Sequence, residues 1–159
     1  MLRRYRIDKD TASEAEVIEH VRAQGFPAPR VDKADGRDLV MEQVTGPTML
    51  AALLAGDIGA PAAAAILAEL HERLHMIGPV HPGSDDTHVV VHFDLHPDNV
   101  IMAPTGPVLL DWTSATDGQA ELDVAMSALI LAQVAVHPGS ELALPGDHCS
   151  RSSPDGSGQ

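Results

Sequence analysis

Asp94, Asn99 and Asp111 are the residues of this chain with the most chemistry between them. They lie in the stretch VVVHFDLHPDNVIMAPTGPVLLDW, with Asp94 five residues before Asn99 and Asp111 twelve after it. Mg²⁺ is a hard cation held by one or two carboxylates or amides together with substrate phosphates, so Asn99 and Asp111 form a candidate metal pair. Asp94 is then left to accept a proton from a substrate hydroxyl. Phosphoryl transfer needs those parts, because its catalysis is mainly positioning and charge neutralisation around the transferred group. Taken singly, each residue also suits a plain turn, which Asp, Asn and Pro all favour.

A second stretch, HERLHMIGPVH at residues 71–81, has the spacing H-E-x-x-H-x-x-G-x-x-H. In a zinc hydrolase His71 and His75 would sit one helical turn apart, Glu72 would activate the bound water, Gly78 would turn the chain and His81 would be the third ligand. The chain has nine histidines, which raises the rate of chance matches. Leu67, Leu70 and Leu74 form an apolar stripe beside both histidines, which also suits residues at the margin of a packed helix. The zinc metallohydrolase is kept as an alternative reading.

The elements that must position these residues follow from periodicity and turn signals. A helix is predicted from Thr11 or Ser13, with Ala15, Ile18, Val21 and Arg22 at helical spacing and Gly25 ending it. FPAPRV extends, since residues before proline avoid the helical region. RVDKADGRDLVMEQV reads as two short strands around Ala-Asp-Gly. TMLAALLAG is a short apolar helix. Pro61 suits the first turn of a central, buried helix with Ile66, Leu67, Leu70, Leu74 and Ile77 as its stripe. A hairpin is predicted over 100–110, and ELDVAMSALILAQVAV is a strongly apolar helix. From residue 137 the chain is rich in Gly, Pro and Ser, a composition expected of a disordered tail.

Composition narrows the partners. The 159 residues carry 10 Lys and Arg against 23 Asp and Glu, a formal net charge of −13. Such a surface repels phosphate backbones and anionic lipid, so neither nucleic acid nor membrane is an expected partner. The lone Cys149 has no disulfide partner in the chain, and the N-terminus has no signal-peptide pattern, so a cytoplasmic location is expected. Aromatics are only 3% of residues, which leaves the core to Ala, Leu, Val and Ile.

HFDLHPDN followed by LLDW resembles the catalytic loop and metal-binding acid of the aminoglycoside phosphotransferase and choline kinase superfamily, whose loop reads H-G-D-L-H-P-x-N and whose acid sits in I-D-W. The resemblance implies that Asp94 is the catalytic base, His92 the loop histidine, and Asn99 and Asp111 the Mg²⁺ ligands. Phe93 stands where the family has a small glycine. SEAEVIEHVRAQGFPAPRV resembles the family's first helix, which puts Glu14 at the acid that pairs with a phosphate-binding lysine. MLRRYR is similar to the strand carrying that lysine, with Arg3 or Arg4 in its place. LVMEQVTGPTML resembles the hinge, where backbone groups of Glu42, Gln43 and Val44 would meet adenine. ELDVA is similar to the helix after the metal acid, with Asp123 bracing the catalytic loop.

The implied fold is α+β, the two-lobed protein-kinase-like arrangement. It has an incomplete N-terminal lobe (1–45), a mainly helical C-terminal lobe (46–136) and the tail (137–159). The family's strands and Gly-containing loop that precede the lysine strand have no counterpart here. The implied activity is transfer of the γ-phosphate of ATP, with Mg²⁺, to a hydroxyl of a small molecule. Its alternative within the same fold is an inactive, nucleotide-binding remnant.

Overall fold

The computed structural model describes residues 2–4, 11–81, 83 and 85–136. The tail expected from residue 137, with Cys149, lies outside the described residues.

Strand β1 (Leu2–Arg4) lies against β3 (Asp38–Met41), which also pairs with β2 (Val31–Asp35), giving an antiparallel sheet in the order β1-β3-β2. The two-residue turn of this hairpin places Gly36 first, at φ 55°, the position that type II′ turns reserve for glycine. Before it, α1 (Ala12–Ala23) buries Ala15, Val17, Ile18 and Val21. Arg22, which helical spacing had placed with this stripe, is exposed, and its guanidinium donates to the Ala28 carbonyl. Gly25, at φ 80°, turns the chain out of α1, and Phe26 N–H donates back to the Val21 carbonyl.

Helix α2 (Met49–Ala55) starts where Thr48 Oγ1 accepts from Ala51 N–H at 3.1 Å, and Gly56 at φ 78° ends it. Helix α3 (Ala60–His75) has Pro61 in its first turn and buries Ala63, Leu67, Leu70, His71 and Leu74. Its other faces are open to solvent, so the helix expected to be central and buried on its Leu67–Leu70–Leu74 stripe is buried on that face only. Truncating Leu70 or Leu74, each about 1% exposed or less, removes packing worth about 2–5 kcal/mol.

Strand β4 (Val89–Val91) leads into the loop that holds Asp94 and pairs with β7 (Thr116–Gly118). The polar run TSATDG carried no strand signal, and β7 exists because β4 offers it a partner. Between them lies the hairpin of β5 (Val100–Ala103) and β6 (Gly106–Leu109), in register Val100 to Leu109. Two 3-10 turns, Pro97–Asn99 and Trp112–Ser114, flank it. Helix α4 (Ala120–Val136) completes the described chain. It buries Asp123 and Ser127, while Leu122, Val124, Met126, Leu129, Leu131 and Val134 are exposed. No helix among the described residues is long and apolar enough to cross a membrane.

Candidate active site

Asp94 follows a buried histidine. His92 is fully buried, and its ring meets Trp112 edge-on with centroids 5.0 Å apart. Its Nε2–H donates to the Leu110 carbonyl at 3.0 Å, which leaves Nδ1 as the acceptor for Asp94 N–H at 3.3 Å. Burial pushes the His92 pKa down from 6.5 to about 4, against the opposing pull of Asp123 and the Leu110 carbonyl. The ring is therefore neutral, in one tautomer, and it links the residue at Asp94 to the residue before Asp111.

The next contacts are local. Asn99 Nδ2 donates to both the Asp94 carbonyl and Asp94 Oδ2, each at 2.9 Å. His96 Nδ1 accepts from Asp98 N–H at 3.3 Å, and its Nε2 lies 3.4 Å from Asp94 Oδ1 and 3.2 Å from Asn99 Nδ2. Asn99 has two amide hydrogens, and with both directed at Asp94 its Oδ1 is the remaining acceptor. Leu110 N–H donates to the Asn99 carbonyl at 2.8 Å, extending the β5–β6 ladder by one pair and setting Asp111 beside the Asn99 turn.

Two residues adopt a left-handed backbone without being glycine, Phe93 and Asp111, both at φ 60°. Each costs about 1–2 kcal/mol. Phe93 is thus a phenylalanine in a conformation suited to glycine, and its ring lies against Gly118, where a Cβ would come 3.5 Å from the ring. Asp111 directs Oδ1 to the Thr113 hydroxyl at 2.7 Å.

Asp123, on α4, reaches this loop from below. Its Oδ1 accepts from Phe93 N–H and its Oδ2 from His75 Nε2 at 2.8 Å. Burial works to raise its pKa, but His71, His75 and the backbone of Phe93 and His92 outweigh that and hold the carboxyl well below the usual carboxylate range.

The zinc pattern resolves differently from its spacing. His81 turns away to Asp117, its Nδ1 2.8 Å from Oδ2, and Glu72 is exposed. Among the described residues the group that gathers at His71 and His75 is completed by Asp123. The cause is the turn after α3: Asp117 accepts from the backbone N–H groups of Val80 and His81, which fixes that segment to β7.

The hinge expected at Glu42, Gln43 and Val44 lines a cleft of about 440 Å³ together with Ala28, Ala103 and Val108. Glu42 N–H donates to the Arg30 carbonyl and its Oε2 accepts from Arg30 N–H, so this residue is tied to the residue just before β2. The cleft touches the far end of the β5–β6 hairpin, whose near end holds Asn99 and Asp111. Four residues at about 3.3 Å each separate the two by roughly 13 Å.

Glu14 is buried on α1. Arg3 lies opposite Leu39 in the β1–β3 register, and its side chain falls outside the described part of the chain. Three residues that order this site had no assigned role in the sequence reading. Trp112 packs between Phe26 and His92, Asp117 holds the turn after α3, and Ser127 meets His71. Only Trp112 had a legible signal, as the one tryptophan and the end of LLDW.

A family model described as the phosphotransferase enzyme family matches residues 50–143, more than half of the chain. A comparison with curated proteins returns no match.

Proposed function

Since the chain belongs to the phosphotransferase enzyme family, we propose that it transfers the γ-phosphate of ATP to a hydroxyl group of a small molecule, with Asp94 as the base. The observation that carries this reading is the double hold of Asn99 on Asp94. It orients the carboxylate, whose side chain is 39% exposed, toward solvent on a fixed loop. In the reaction the acceptor hydroxyl gives its proton to Asp94 while its oxygen bonds the γ-phosphorus and the β–γ bridging oxygen leaves with ADP.

Asn99 Oδ1 and the Asp111 carboxylate are hard oxygen donors, the type that suits Mg²⁺, and their residues flank the base of the hairpin, where Asn99 pairs with Leu110. When bound there, Mg²⁺ neutralises charge on the phosphate oxygens. Adenine is assigned to the cleft at Glu42, Gln43 and Val44, and the roughly 13 Å of hairpin separating that cleft from Asn99 suits an extended nucleoside triphosphate. His92 keeps the loop in register, and Asp123 braces it through Phe93 N–H.

Arg3, with Glu14 as its partner, is assigned to the phosphate side. In this reading residues 1–45 are the smaller lobe of a kinase-like fold and residues 46–136 the larger. The acceptor is a small molecule, and the charge of −13 argues against nucleic-acid and anionic-membrane partners. The single cysteine suits a reducing, cytoplasmic setting.

The test is nucleotide binding by calorimetry together with ADP release in the presence of aminoglycosides, choline and simple sugars. Asp94→Asn should lower kcat by about 10²–10⁴ while leaving nucleotide affinity within a few-fold. Turnover that persists in Asp94→Asn removes Asp94 as the base. Nucleotide binding without turnover leaves the inactive remnant, and no nucleotide binding ends the reading.

A further inference from the structure

His75 supports the loop through Asp123, but His71 has no assigned part in phosphotransfer, and one of its nitrogens is buried. His71 Nδ1 is buried without a hydrogen-bond partner and lies 3.5 Å from Asp123 Oδ2. On the other side of the same ring, Nε2 lies 3.1 Å from Ser127 Oγ. The ring can meet that hydroxyl as acceptor, with Nδ1–H turned to the carboxylate, or as donor from Nε2–H, which frees the Nδ1 lone pair for a cation held between it and Asp123 Oδ2.

We propose that His71, His75 and Asp123 form a binding site for a divalent transition-metal ion of the zinc type. One ligand atom from each of the three residues lies within 4.8 Å of the others, and His71 Nδ1 and His75 Nε2 are the nitrogens that face Asp123 Oδ2. A tetrahedral site with metal–ligand distances of about 2.0–2.1 Å sets its ligand atoms roughly 3.4 Å apart. The separation of 3.5 Å between His71 Nδ1 and Asp123 Oδ2 already matches, and the 2.8 Å between His75 Nε2 and Asp123 Oδ2 must open by about half an ångström.

Two imidazoles favour zinc, copper, nickel or iron over magnesium, which prefers oxygen. The surroundings are those of a built metal site. Ser127 fixes the His71 ring from outside, and Phe93 N–H occupies Asp123 Oδ1, which leaves Oδ2 as a one-oxygen ligand. The side chains of His71 and His75 are 10% and 14% exposed, so water has an edge from which to supply a fourth ligand.

The site differs from a zinc hydrolase. Its third ligand comes from α4, and Glu72 is exposed. Its consequence is mechanical: an ion there joins α3 to α4 through the carboxylate that also holds Phe93, one residue before Asp94.

The experiment treats chelator-stripped full-length chain with Zn²⁺, Co²⁺ and Mg²⁺ separately. It reads stoichiometry by calorimetry, the thermal midpoint, and the visible absorption of tetrahedral Co²⁺. The expected result is one Zn²⁺ per chain with a raised midpoint, an intense Co²⁺ band, and no response of this kind to Mg²⁺. His71→Gln should abolish the Co²⁺ band, and Ser127→Ala should weaken Zn²⁺ binding by about 10–100-fold. Should His71→Gln fail to fold, the Co²⁺ spectrum of the unmutated chain and the Ser127→Ala affinity still decide. The proposal is overturned if the unmutated chain binds no Zn²⁺, or if binding and spectrum survive His71→Gln or are unchanged in Ser127→Ala.

Discussion

At the scale of single residues, His92 shows how one side chain sets a loop. Its tautomer follows from two backbone partners, the Leu110 carbonyl and Asp94 N–H, and its burial keeps it neutral. Its pKa falls from 6.5 to about 4 on folding, so between those values the unfolded chain binds a proton that the folded chain does not. Stability is therefore intact above pH 6.5 and declines as pH falls through this window, by about 1.4 kcal/mol per unit and about 3 kcal/mol in full. Urea midpoints measured from pH 7.5 to 4 should show that slope, and His92→Gln should remove close to one proton of it. An unchanged slope in the variant would assign the proton to another group. The Asp94 and Asn99 pairing was legible because its contacts span five positions, whereas His92 also needs Leu110, 18 residues away. The orphaned Nδ1 of His71 could not, since nothing in its own segment says what faces it.

At the scale of elements, the hairpin and the chain that approaches it decide where the oxygen donors stand. Met102 N–H donates to the Pro47 carbonyl at 2.9 Å, and Thr48 bridges Ile101, so the segment before α2 is laid directly on β5. Gly46 permits this approach. It sits at φ 151°, and a Cβ there would lie 2.3 Å from the Met102 carbonyl oxygen. Gly46→Ala should push the two backbones apart, lower the thermal midpoint and weaken nucleotide binding at the neighbouring cleft. An alanine variant with both unchanged would show that this contact yields easily. The hairpin was legible from its turn residues and apolar strands, and α1, α2 and α3 from caps and periodicity. Strand β7 was not, because a short polar segment becomes a strand only when an edge such as β4 is presented to it. The apolar pattern of α4 announced a helix but did not reveal that its buried positions are Asp123 and Ser127.

At the scale of the whole molecule, Asp123 is the point where three parts meet: α4 carries it, α3 contacts it through His75, and the loop before Asp94 rests on it through Phe93. Asp123→Ala would leave Phe93 N–H and His75 without their acceptor, and breaking a buried pair of this kind costs about 3–5 kcal/mol. That is a large share of the roughly 5–15 kcal/mol that holds a domain folded. Chemical denaturation should show the loss, with hydrogen exchange speeding up first in the loop around Asp94. A loss below about 1 kcal/mol would mean that the brace is dispensable. The sequence by itself determined the string around Asp94, the helices and the hairpin, because these depend on neighbours along the chain. Only the tertiary structure decided that His75 meets Asp123, 48 residues away, while His81 goes to Asp117. Spacing within one helix sets which side chains share a face, but the partner of that face is chosen by how a distant helix packs across it.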